Sequence, residues 1–146
     1  MSGYIETNLP VDRFPRRLIW LVLGDVAVFL LFVLIGRSNH SLSLSDVGAL
    51  LSTAMPFAVG WFVVAPWFGL FRVEINRAWQ QMLPRLLGAW LVLGGPLGLV
   101  LWAWLRGRAI PGGIIPTFAF VTIGVITAFL VIWRLAYSWW LQRQPH

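Results

Sequence analysis

Four long apolar stretches, interrupted by only two charges, constrain this chain more than any other feature. They run over residues 18–36, 47–71, 86–105 and 116–141. The second and third carry no charge, the first holds Asp25, and the fourth holds Arg134. A helix that crosses a bilayer needs roughly 20 mostly apolar residues, and each stretch approaches or exceeds that. Only 11% of the chain is charged and 59% is hydrophobic. A soluble domain carries roughly a quarter charged residues, so too little polar surface exists here to coat a globule. The expected fold is all-α: a polytopic membrane protein with four transmembrane helices. One transmembrane domain, 18–141, follows an N-terminal tail, 1–17, and precedes a short C-terminal end, 142–146.

The connectors carry the topology signal. All eleven basic residues are arginines, for a net charge of +6. Arg13, Arg16, Arg17, Arg72, Arg77, Arg85 and Arg143 lie on one side of the alternating spans, and only Arg37, Arg106 and Arg108 on the other. The positive-inside rule then places both termini in the cytoplasm. Trp20, Trp67, Trp139 and Trp140 fall near the cytoplasmic interface and Trp102 and Trp104 near the outer one, as an aromatic belt requires. The arginines form no block, which argues against nucleic-acid binding. The expected setting is the cell membrane, with the lipid bilayer as the main partner. The basic tail before the first span could serve export, but no small-residue cleavage site follows it and three more spans do.

Asp25 and Arg134 are the leading candidate residues. Asp25 lies seven residues after Leu18, and Arg134 seven before Leu141. At 1.5 Å per residue both sit roughly 10 Å in from the cytoplasmic side. They can meet if the first and fourth helices are neighbours. An unpaired charge in hydrocarbon costs several kcal/mol, which favours pairing. Three readings stay open: a salt bridge that fixes helix register, a proton or ion relay, or no contact at all. In the last case Arg134 snorkels to the headgroups and Asp25 is protonated.

A second group, Arg37, His40, Arg106 and Arg108, lies in the two short loops at the other end, with Asp46 nearby. Guanidinium groups in a cluster favour anions; a solvated rim against lipid phosphates is the plainer reading. A third pattern concerns backbone shape. Pro56, Gly60 and Trp61 lie inside the second span, and Gly94, Pro96 and Gly98 inside the third. Proline removes a helical donor and bends the helix. Glycines four apart let helices approach closely. Between these spans, Arg72–Arg85 has an amphipathic pattern that suits a short interfacial helix or an ordinary connector. Ser43 or Ser45 can cap the second helix, and Asn39-His40-Ser41 matches a glycosylation acceptor, a weak signal.

The chain has no cysteine, which removes disulfides, thiolate metal sites and thiol catalysis. His40 and His146 lie outside the apolar stretches, so no histidine-held haem is expected inside the membrane. No HExxH, GxSxG or Walker-type phosphate loop occurs. Of five carboxylates only Asp25 lies in a span, which leaves little for paired acid–base catalysis. The expectation is a protein that is not an enzyme and holds no cofactor or metal.

The ordered set Gly24-Asp25, Gly36-Arg37-Ser38-Asn39-His40, Pro56-Phe57-Ala58-Val59-Gly60-Trp61, Arg106, Pro116-Thr117-Phe118 and Trp133-Arg134 resembles an uncharacterised family. It looks like the small four-helix bacterial and archaeal membrane proteins of a domain of unknown function in the three-thousand series. The resemblance covers about Leu18 to Arg134. It implies the four-helix topology and these residues, and no activity. The expected role is structural or accessory, as a homo-oligomer or a subunit of a larger membrane complex. The alternative is a small carrier or channel for protons or anions that acts as an oligomer.

Overall fold

The computed structural model describes residues 13–40 and 42–145. Most of the expected tail, Ser41 of the acceptor motif and His146 therefore lie outside the described residues. Among the described residues every regular element is helical. Four helices are long and apolar enough to cross a membrane: Arg16–Asn39, Val47–Phe68, Trp79–Leu105 and Pro116–Gln142.

The first helix, α1, runs Arg13–Asn39, so the last residues of the expected tail are already helical. Pro15 lies in its first turn, where the missing N–H has no helical partner to lose. The second helix, α2, covers Val47–Val64, and Asp46 caps it by accepting from the Ala49 N–H at 3.0 Å. The cap is therefore the carboxylate immediately before the helix, in place of Ser43 or Ser45. Those two hydroxyls bond each other at 2.7 Å.

Helix α2 tightens into a 3-10 turn, Ala65–Phe68, and stops at Gly69. Gly69 adopts φ 70°, which an L side chain resists. The Leu70 N–H returns to the Ala65 carbonyl and the Gly69 N–H to that of Pro66, a Schellman-type ending. The chain thus turns sharply at Gly69, and Leu70 ends up fully buried.

The next segment is neither the single interfacial helix nor the ordinary connector that its pattern suits. A short helix, α3, covers Val73–Arg77, and α4 begins at Trp79 and runs to Leu87. From there a π-helical segment, Gly88–Gly94, leads directly into α5, Gly95–Leu105. The third long helix therefore begins seven residues before the expected start at 86. The extra backbone of the π turn falls just ahead of Pro96, whose ring would clash with the carbonyl four residues back in a regular helix. The last helix, α6, spans Pro116–Gln142.

Helix α1 packs between α2 and α6, and α2 packs on α5. α3 and α4 both lie against α6 and close the bundle at one end. The core is aromatic: Trp61 meets Trp90 edge-on at 6.3 Å and Phe29 meets Trp90 at 5.7 Å. Outward, Trp67, Phe120 and Ile132 are 87%, 81% and 65% exposed, as lipid-facing residues would be.

The tightest approach joins α2 to α5. A Cβ added at Gly60 would overlap the Gly94 carbonyl and lie 3.0 Å from the Gly98 nitrogen. One added at Gly98 would lie 2.8 Å from the Phe57 ring. Gly94 and Gly98 therefore serve close packing, with Gly60 as their partner on the facing helix. Gly60→Ala should destabilise the protein in detergent by about 1–3 kcal/mol, the usual cost of overpacking. Gly124→Ala, where nothing lies within 4 Å, should leave the thermal midpoint unchanged or slightly raised. Equal midpoints for the two variants would contradict this packing.

Candidate functional site

Asp25 from α1 and Arg134 from α6 meet in the core, both with 0% side-chain exposure. The pairing is bidentate: Arg134 Nε donates to Asp25 Oδ1 at 3.0 Å, and Nη2 donates to Oδ2 at 2.5 Å. Such fork-to-fork pairs are among the stronger hydrogen-bonded contacts. The expected contact between the first and last spans is thus formed. Arg134 does not snorkel.

The pair is part of a larger network. Nη1 of Arg134 donates to the Leu70 carbonyl at 2.6 Å and to Asn76 Oδ1 at 2.8 Å. Four of the five guanidinium N–H groups are therefore bound. Trp61 Nε1 from α2 donates to Asp25 Oδ2 at 2.9 Å. Asn76 is itself held, its Nδ2 donating to the Leu70 and Arg72 carbonyls at 2.7 and 2.8 Å. The guanidinium carbon lies 5.4 Å from the ring centroids of both Trp61 and Phe71, a cation–π distance. The Trp133 indole also approaches Asp25 but falls short of hydrogen-bond geometry.

Each partner is placed by a local feature already described. The Gly69 turn buries Leu70 and presents its carbonyl. The short α3 carries Asn76 inward, where it is 1% exposed. Outer bonds fasten this end: Gln142 Nε2 donates to the Arg77 carbonyl at 3.0 Å, and the Tyr137 hydroxyl donates to the Arg17 carbonyl at 2.8 Å. Neither Asp25 nor Arg134 borders the cavity at the His40 end or those around Trp20, Trp133 and Trp139.

Two members of the network were not among the candidate residues. Asn76 was hidden because the connector reads as a surface helix, where an asparagine is unremarked. Its only sequence signal is a polar residue one position from Ile75, on what proves to be the buried face. Leu70 contributes backbone alone, which no side-chain pattern can reveal. Trp61 was placed with the kink and packing residues; it packs on Trp90 and also donates to Asp25.

The second candidate group is brought together at the opposite end. Arg37, His40 and Arg106 line one cavity. Arg106 and Arg108 both lie over the Trp102 ring, at 5.3 and 5.1 Å from its centroid. Trp102 is only 6% exposed, so it belongs to the bundle interior and not to an outward belt. Trp104, two residues on, is 68% exposed. Among the described residues no cluster of three or more His, Asp or Glu could hold a metal ion.

Fold and site together define a class: a compact all-α protein with four helices able to cross a membrane, closed around a buried ion pair. Over residues 22–137 the chain matches the family described as Protein of unknown function (DUF3054), and it belongs to that family. No curated protein and no solved structure matches it. The match includes Asp25, Arg134 and all four residues of the second group.

Trp61→Phe keeps an aromatic ring but removes the N–H to Asp25 and part of the buried volume. It should destabilise by at least about 1.5–3 kcal/mol, the range for hydrogen bonds to charged groups, with a cavity cost added. Asn76→Ala should cost a similar amount by stranding part of the Arg134 guanidinium. Gln142→Ala, which removes an exposed bond, should stay within about 0.5 kcal/mol of the parent. Thermal or denaturant unfolding in detergent checks all three.

Proposed function

We propose that the protein is a structural or accessory component of the cell membrane, multi-pass, with both termini in the cytoplasm. It acts as a homo-oligomer or as a subunit of a larger membrane complex, and not as an enzyme. The observation that carries this reading is the sealing of the ion pair. A relay needs a charged group that water or an ion can reach and a bond it can exchange. Asp25 and Arg134 have no exposure, and they bond to one another, to α2, to α3 and to the turn between those two helices through four of the five guanidinium N–H groups and both carboxylate oxygens. That arrangement serves to join helices.

The orientation rests on the arginine asymmetry, since basic residues stay on the cytoplasmic side. The lipid bilayer is the main partner, and nothing in the arginine pattern favours nucleic acid. The alternative is a small carrier or channel for protons or anions, acting as an oligomer. What favours it is the gathering of Arg37, Arg106 and Arg108 at one end of the bundle.

Two measurements test these readings. Proteoliposomes loaded with a pH dye or a halide-sensitive dye should show no flux above empty liposomes. A flux that Asp25→Asn abolishes in a folded protein would establish the carrier reading instead. For topology, the chain has no cysteine, so a single Gly112→Cys residue can be labelled cleanly. A membrane-impermeant maleimide should label it in intact cells. Labelling only after permeabilisation would reverse the orientation.

A further inference from the structure

The cavity at the His40 end has features that membrane anchoring does not require. It measures about 360 Å³ and lies among α1, α2, α5 and α6. Its walls include Phe32, Val33, Trp102, Phe118 and Val121, and its rim carries Arg37, His40 and Arg106. The volume is that of about a dozen water molecules at ~30 Å³ each. It falls in the lower part of the ~300–1,000 Å³ range of small-molecule sites. That volume suits one apolar chain better than a whole two-chain lipid.

The polar groups at this cavity are unspent. Trp102 Nε1 and Thr122 Oγ1 are buried without a hydrogen-bond partner, and both side chains line the cavity. Trp102 is 6% and Thr122 1% exposed. Buried donors and hydroxyls are normally satisfied, so an orphan beside a cavity calls for a ligand atom. The arginines also have donors to spare. Arg37 uses Nε and Nη2 on the Ser43 carbonyl, at 3.0 and 2.8 Å. Arg106 uses only Nη2, on Thr53 Oγ1 at 3.0 Å. Among the described residues none of Arg37, Arg106 and Arg108 has a carboxylate partner. Asp46, the acidic residue of this end, is engaged in capping α2.

We propose that this cavity binds an anionic amphiphile: a single apolar chain inserted between α1, α5 and α6, with a carboxylate or phosphate head on Arg37 and Arg106. The apolar walls exclude a bare inorganic anion as the main occupant. The guanidinium groups, which have no carboxylate beside them, repel a cationic occupant and favour an anionic one over a neutral acceptor, because an anion adds charge attraction to the hydrogen bonds. The Trp102 indole N–H can donate to the oxygens of the head, and Arg106 and Arg108 lie over its ring face. The ligand can come from two sources, a free fatty acid or one chain of an anionic bilayer lipid.

The test is photo-crosslinking of the full-length protein in phosphatidylcholine nanodiscs with a diazirine-bearing dodecanoate, mapped by peptide mass spectrometry. Label should concentrate on the peptides around Trp102 and Phe118–Thr122. Dodecanoate should compete at least about tenfold better than dodecanol or dodecyltrimethylammonium, as a charge-assisted head contact requires. The Arg37→Gln/Arg106→Gln double variant should lose label by about tenfold or more. Thr122→Val, which keeps the volume, should lose about threefold. Equal competition by dodecanol overturns the proposal, and so does full blockade by inorganic phosphate alone. Label spread evenly over the lipid-facing helices overturns it as well. These competition arms use unmodified protein, so they decide whatever the stability of the variants. Adding phosphatidylglycerol to the nanodiscs separates the sources. Suppressed label supports the site with a bilayer lipid in it, and unchanged label supports it with a free single-chain acid.

Discussion

A bidentate ion pair between Asp25 and Arg134 is the contact on which the rest of the bundle depends. It joins the first long helix to the last, 109 residues apart in the chain. With 0% exposure neither charge is tolerable alone, and removing one partner of a buried pair typically costs about 3–5 kcal/mol. The network also uses polar groups that would otherwise be stranded. The carbonyl of Leu70, freed where α2 ends, accepts from Arg134 and from Asn76. Backbone polar groups buried away from water must find partners within the protein. Here the ion pair and the helix break satisfy each other.

The two ends of the bundle are built on opposite principles. At one end α3 folds under the core, the arginine is bound on nearly every donor, and the aromatic faces of Trp61 and Phe71 cover it. At the other end three arginines gather without carboxylates, beside a cavity that holds two orphan polar atoms. The closed end fixes the relative positions of the helices. The open end inherits that rigidity, since α1 and α6 run the full height between them.

Much of this was readable from residue order. Four apolar stretches, broken only by Asp25 and Arg134, specify four long helices. Counting residues in from the ends of the first and last stretches puts Asp25 and Arg134 at one depth. That contact was legible because charges in an apolar setting have few alternatives to pairing. Gly94 and Gly98 were legible as a close-packing pair; that Gly60 is their partner depends on which helices are neighbours, which spacing alone does not say. Other features were not legible. The connector Arg72–Arg85 has a surface-like pattern, yet its first half tucks inward at Asn76 and its second half extends the third helix. The reason is tertiary: Gly69 turns the chain back onto α6, where Arg134 offers a partner for the asparagine. Trp102 read as a belt residue, since sequence position marks it near an interface but not on which face of α5 it lies.

The most direct test of the central contact is a double-mutant cycle on Asp25→Asn and Arg134→Gln, read by reversible unfolding in detergent. Residues that share a buried network couple by about 0.5–3 kcal/mol. Each single variant should be strongly destabilised, and the double variant should cost less than their sum by about 2 kcal/mol or more. Additive losses, within about 0.5 kcal/mol, would show that the two side chains do not hold each other.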